Sequence, residues 1–210
     1  LMKFYKKYYV INNCVVSLSG NIPKNIETYL SQIFKDEKPT HLKLQFTEFI
    51  YPNLKPVILH KKRKQEQIAI VLGFPSFNEY HPDKYVLDII TNILYGNMTS
   101  RLWLKLRDNN PIVYGVEIYL ELLEEGGYVS INLGLSKNNL EKALKILYVE
   151  LTKLKKVLVP KSELSIVKNK MIEDLKEEDD DNLDIAKYYG EKYLLESDLT
   201  TFSELEKIYK

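Results

Sequence analysis

One cysteine, one tryptophan and three histidines in 210 residues narrow the chemistry at once. A lone Cys14 excludes an internal disulfide framework and any multi-cysteine metal site. It lies in the apolar run Cys14-Val15-Val16 and reads as a buried core thiol, because a nucleophilic thiolate needs a neighbouring base and none is evident. His41, His60 and His81 are followed by Leu-Lys-Leu, Lys-Lys-Arg and Pro-Asp-Lys, so no H-x-x-E-H stretch exists. Zinc hydrolysis needs two neutral imidazoles on one helix face, a carboxylate ligand and a Glu base, and this chain is expected to bind no zinc itself. An excess of charge of one sign is missing too: 30 basic against 29 acidic residues leave +1, so the whole molecule has no electrostatic case for nucleic acid or a membrane surface as partner. No run approaches the ~18 apolar residues of a membrane span. No basic start leads into an apolar signal region, and the cytosol is the expected compartment, with Leu1 leaving the true N-terminus open. Phosphate-cradling glycine loops, dinucleotide fingerprints and Gly-x-Ser-x-Gly elbows are likewise absent, which excludes nucleotide and serine-hydrolase readings.

What is present is a sequence 45% hydrophobic, enough to fill a core. Asn13 to Ser19 reads as a strand and Pro23 opens a helix carrying Ile26, Tyr29, Leu30 and Ile33 on one face. One strand and one helix bury no core unaided, so these residues look like the tail of a domain that begins upstream. Pro39, Pro52 and Pro56 mark an extended linker over residues 37–58. The expected organisation is therefore a domain tail plus linker at 1–58 and a second domain at 59–210 that stops short of its end. In that domain the run Ile68 to Leu72 predicts a strand covered on both faces, and His81-Pro82-Asp83 starts a strongly apolar helix. Ser100 to Leu106 restarts a helix. Val113 to Leu120 and Tyr128 to Leu135 predict a hairpin around Glu124-Glu125-Gly126-Gly127. Two amphipathic helices follow, one from Leu140 and one from about Pro160. The order predicts an α+β fold of two layers, a largely antiparallel sheet covered by helices. Lys61-Lys-Arg-Lys64 reads as a solvated approach to a strand and Glu177 to Asp181 as a solvated helix end or turn, the latter lacking the ligand spacing of a calcium loop.

The richest segment runs from Met98 to Val116. Arg107 closes a short amphipathic helix and Tyr114 enters the next strand, so both can point into one cleft. A guanidinium and a phenol side by side suit recognition of backbone carbonyls, and the phenol could stabilise a developing oxyanion. The bland alternative pairs Arg107 with Asp108 or Glu117 and packs Tyr114 in the sheet.

The pattern around this segment resembles the C-terminal, non-catalytic domain of the pitrilysin/insulinase zinc metallopeptidases, a family that includes mitochondrial processing peptidase. The likeness runs from Gln67-Ile-Ala-Ile-Val-Leu-Gly-Phe-Pro through His81-Pro-Asp-Lys-Tyr, Leu94-Tyr-Gly-Asn-Met-Thr-Ser-Arg-Leu-Trp and Leu106-Arg-Asp to Tyr114-Gly-Val and the hairpin turn. Ile166 to Lys170 also looks like the family, and Phe4 to Gly20 is similar to the last strand of its N-terminal domain. The resemblance implies two α+β halves forming a clamshell. The first carries H-x-x-E-H and zinc; the second grips a peptide substrate. It places Arg107 on a substrate carbonyl and makes Tyr114 the donor to the oxyanion formed as zinc-bound water attacks. The zinc-bearing half would be joined in the same chain or come as a separate subunit. A non-catalytic subunit or a scaffold without protease activity is the alternative. Two departures stand out: the glycine-rich turn before Ser100-Arg101 is reduced to Gly96-Asn97, and the Arg-Gly-Leu before the tyrosine is replaced by Asn110-Pro111-Ile112. Asp88, Thr91 and Asn92, where a catalytic half would carry its zinc motif, are expected to be structural.

Overall fold

The computed structural model describes residues 1–37, 55–62, 64–195 and 199–210. His41, Pro39, Pro52 and Arg63, and most of the expected linker, lie outside the described residues. The chain divides into two compact units, Leu1–Phe46 with Ile172–Lys210, and Thr47–Met171. Among the described residues no helix is long and apolar enough to cross a membrane.

The second unit holds a three-stranded sheet in the order β1-β3-β2, formed by β1 (Gln67–Ser76), β2 (Val113–Leu122) and β3 (Gly127–Ser136). Both ladders are antiparallel, as expected. The hairpin closes by Leu123 N–H donating to the Gly126 carbonyl at 2.8 Å. Helices α3 (Lys84–Tyr95), α4 (Arg101–Trp103) and α5 (Leu140–Lys156) build the second layer, because their apolar stripes match the inward residues of the strands. The core joins Leu94, Leu102, Leu106, Ile112 and Val116 to Ile131, Leu133, Leu135, Ala143 and Leu147. Helix α6 (Lys161–Asp180) adds Val167 and Met171 to the buried set.

One expectation for β1 fails. The run Ile68 to Leu72 is not covered on both faces: burial alternates along the strand and Val71 is 68% exposed. The helices cover one face only, and the other stays open at Tyr119 and Tyr128, 50% and 45% exposed. A continuous apolar run cannot distinguish this half-covered edge strand from a doubly covered one.

In the first unit, α1 (Met2–Tyr8) is a helix where the resemblance led to a strand, followed by a 3-10 turn at Ile11–Asn13. Helix α2 (Ile26–Ile33) follows the predicted pattern. Asn13 to Ser19 forms no ladder among the described residues, although Cys14 has extended angles and accessibility alternates from Cys14 to Ser19. Strand geometry without a partner leaves alternate side chains in water, and Cys14 is exposed rather than buried. The same unit contains α7 (Asn182–Leu195) and α8 (Phe202–Tyr209). Asp181 caps α7 through its side-chain oxygen, which accepts from the N–H of Leu183 at 2.7 Å and of Asp184 at 3.1 Å. Thr201 and Glu204 form a capping box at α8.

Candidate functional site

The segment that carries Arg107 begins where α3 ends. Asn92 donates to the Asp88 carbonyl at 3.0 Å and Thr91 to the same oxygen at 2.8 Å, so these residues serve their own helix. Asn97 then turns the chain, accepting from the Thr99 N–H at 2.7 Å, with Ser100 bonded back to its carbonyl at 2.6 Å. This asparagine supplies the turn that glycines were expected to make.

After α4 the backbone widens into a π-helical turn over Leu104–Asp108, closed by Asn109 N–H donating to the Leu104 carbonyl at 2.8 Å. Such turns are rare and collect at functional sites. Leu106 points into the core at 0% exposure and the next residue, Arg107, points out. The Arg107 guanidinium lies over the Trp103 ring, 4.9 Å from its centroid, and Nη1 donates to the Tyr114 carbonyl at 2.8 Å. Neither Asp108 nor Glu117 pairs with it among the described residues; Glu117 accepts instead from the Tyr119 hydroxyl at 2.6 Å. That bond, before all else, raises the Tyr119 phenol above its ordinary pKa.

Tyr114 sits at a second irregularity. The β2–β3 register shifts between Val113 and Gly115, and the bulge leaves Tyr114 without a ladder partner and 58% exposed. Bulges re-aim a side chain at sheet edges and beside active sites. Its phenol has no hydrogen bond among the described residues. Asn110-Pro111-Ile112 holds this geometry: Ile112 is buried, its N–H donates to the Leu106 carbonyl at 2.9 Å, and its own carbonyl accepts from Asn139 at 2.9 Å. Two backbone defects thus bracket the two residues singled out from sequence. Neither defect has a periodicity that could have revealed it.

Beside this pair stand two charge clusters. Arg101 meets Glu163 through two bonds of 2.6 and 2.7 Å, which hold the guanidinium above the usual arginine range. Glu150, 3% exposed, receives Lys153 at 3.0 Å and Lys105 at 3.8 Å. A cavity of about 340 Å³ lies between the Arg101–Asn109 stretch and α6, lined by Ile93, Leu104, Arg101, Lys105, Glu163 and Val167 among others. Of the histidines, His81 stacks on Phe77 at 3.9 Å and approaches Asp83 at 3.9 Å, while His60 is exposed. Among the described residues no group of three or more His, Cys, Asp or Glu could hold a metal ion, so these residues do not fit a zinc site.

Comparison with known proteins agrees with the fold. The chain is 27% identical over 175 residues to the zinc protease YmxG of Bacillus subtilis (strain 168), covering 81% of this chain and 41% of that protein. It is 24% identical over 159 residues to the zinc protease SCO5738 of Streptomyces coelicolor, covering 72% of this chain and 34% of that one. The chain therefore spans only about two-fifths of the curated relatives it matches. Among solved structures, a protease from Helicobacter pylori superposes with a TM-score of 0.69 at 19% identity, over 91% of this chain and 50% of that one. The peptidase M16 inactive domain from Pseudomonas fluorescens gives 0.60 at 21% identity, over 69% and 35%. The family described as "Peptidase M16 inactive domain" matches residues 1–171, and the chain belongs to it.

Proposed function

We propose that this chain is the peptide-gripping half of a zinc endopeptidase, with the zinc and its H-x-x-E-H motif on another half, in the same polypeptide or as a separate subunit. In this reading residues 1–58 close the preceding half and lead into the gripping half at 59–210. The observation that carries it is the Arg107–Tyr114 pair: a guanidinium seated on Trp103 and tied to the Tyr114 carbonyl, and an exposed Tyr114 phenol with no hydrogen bond among the described residues. One guanidinium donor is spent on that carbonyl and the remaining N–H groups of this exposed side chain make no hydrogen bond among the described residues, which leaves a planar fork suited to backbone carbonyls. Cation–π seating and the fixed hydrogen bond remove side-chain freedom before a ligand arrives, which lowers the cost of binding. Hydrolysis of a peptide bond builds negative charge on the carbonyl oxygen, and the phenol can donate there without first breaking another bond. This chain's own share is thus to orient the peptide with Arg107 and to donate from Tyr114.

The test is a titration of an uncleaved peptide into the isotope-labelled protein assembled with its zinc-bearing half. Peptide should shift the side-chain resonances of Arg107 and Tyr114, and Arg107→Ala should weaken binding. A scaffold without proteolysis would leave both resonances unmoved while retaining its assembly.

A further inference from the structure

Three of the pairs four apart in the segment Arg101–Asp108, the spacing that places side chains on one helix face, have distinct surroundings. Leu102 and Leu106, both 0% exposed, enter the core. Trp103 and Arg107 stack on each other at the candidate site. Arg101 and Lys105 turn toward two carboxylates on the covering helices: Glu163 of α6 and Glu150 of α5. We propose that Glu163, through its paired bonds to Arg101, is a positioning residue that sets the rotation of this segment and so aims the Arg107 guanidinium, with Glu150 as a second anchor through Lys105. Its meaning for proteolysis rests on the function proposed above; its structural content does not.

A segment of three α-helical and five π-helical residues, without a side-chain cap at Ser100, has no stability of its own. Tertiary contacts must set its orientation. Leu102 and Leu106 fix its depth and its rough orientation, but apolar contact is less directional than a paired hydrogen bond and leaves rotations of a few degrees about the segment axis open. A fork with Nε at 2.6 Å and Nη2 at 2.7 Å from the two oxygens of one carboxylate does not, because both bonds must lie near one plane. The side chains of Arg101 and Glu163 are 16% and 30% exposed, so the pair is shielded more than an ordinary surface bridge. A guanidinium roughly 6 Å from a helix axis moves by about 1 Å for a rotation of about 10°. Trp103 turns with the segment and keeps its stack, whereas the Tyr114 carbonyl belongs to β2 and does not follow, so that displacement is enough to lose the 2.8 Å bond to it.

Trp103 is the only tryptophan, so its indole N–H resonance needs no assignment and its emission reports one site. In the full chain, Arg107→Ala gives the resonance and emission of an indole without its cation. Glu163→Gln, which keeps the size and removes the charge, should move both away from their wild-type values, because Trp103 turns relative to the Tyr95 ring of α3, 6.1 Å away, and Glu163→Asp should restore part of the wild-type signal. Leu133→Ala, a core change on β3 and on neither anchoring helix, is the control for general loosening and should leave the indole signal in place at temperatures where the protein remains folded. Should Glu163→Gln fail to fold, Arg101→Lys keeps the charge and removes the fork, and should shift the indole likewise. In the enzyme assembled with its zinc half, Glu163→Gln should raise KM roughly tenfold or more with kcat little changed, the pattern of a lost binding contact. A wild-type indole signal in both Glu163→Gln and Arg101→Lys overturns the proposal. So does an indole that ignores Arg107→Ala, since the stack would then not exist. A shifted indole with proteolysis indifferent to Arg107→Ala sinks the peptidase reading and leaves the positioning role standing.

Discussion

Replacing Gly127 with alanine places a methyl carbon 2.3 Å from the Phe77 carbonyl oxygen, 2.7 Å from Leu122 Cδ2 and 2.9 Å from the Glu121 carbonyl oxygen. Ordinary contact needs about 3.5 Å, so the backbone at Phe77 and Glu121 must move away from the start of β3, by about 1 Å at Phe77. Only the leucine methyl can step aside. Overpacking of this kind costs about 1–3 kcal/mol, and with two of three clashes against backbone the upper figure applies. Glycine 134 lies on the same strand with nothing within 4 Å of an added methyl, so alanine there should gain about 0.5–1 kcal/mol from the stiffer unfolded chain. In thermal melts at matched concentration, at about 2–4 °C per kcal/mol, Gly127→Ala should lower Tm by about 6–12 °C and Gly134→Ala raise it by about 1–4 °C. Hydrogen exchange of the Val129 to Leu133 amides assigns the effect to the sheet. A Gly127→Ala melt within about 1 °C of wild type, or equal losses from both substitutions, would refute the packing argument.

Other parts of the molecule give further expectations. Changing Lys105 and Lys153 together to Met strands the buried Glu150 carboxylate and should cost about 3 kcal/mol in urea unfolding, most of it recovered by adding Glu150→Met. Thr201→Ala removes the capping box of α8 and should cost about 1 kcal/mol by the same measurement. Two carboxylates have opposite pH signatures. Glu206, held below its ordinary pKa chiefly by Lys210, contributes stability above the unfolded pKa that is lost as pH falls through the lower folded value, so Glu206→Gln should destabilise at neutral pH and be silent in strong acid. Glu178 is raised, chiefly by desolvation and then by Asp184 and Asp174, although the residue as a whole is exposed. Its contribution is present below the unfolded pKa and lost as pH rises through the folded value, so Glu178→Gln should stabilise at neutral pH and lose that gain in acid.

Where periodicity was long, it was informative. The stripe Leu140, Ala143, Leu147 and Leu151 forms α5, and the hairpin closes on Glu124 to Gly127 as its turn chemistry demands. Ile68 to Leu72 misled because hydrophobicity reports a strand without saying how many faces are covered. Cys14 misled for a related reason: its segment pairs with no strand among the described residues, and burial belongs to the partner as much as to the residue. Asp181 and the Thr201–Glu204 box were readable as caps and went unread. Arg107 and Tyr114 could be selected by residue type and family likeness. The π turn and the bulge that aim them could not, because each is a one-residue slip in a ladder fixed by packing of Leu106, Ile112 and Asn139.

The most direct measurement is steady-state cleavage of a fluorogenic peptide by the chain joined to the zinc-bearing half proposed for it, comparing Arg107→Ala and Tyr114→Phe with wild type. The account predicts that Arg107→Ala raises KM, and that Tyr114→Phe lowers kcat by about a hundredfold with KM little changed, as for the loss of one oxyanion donor. Wild-type kcat and KM in both variants would contradict it.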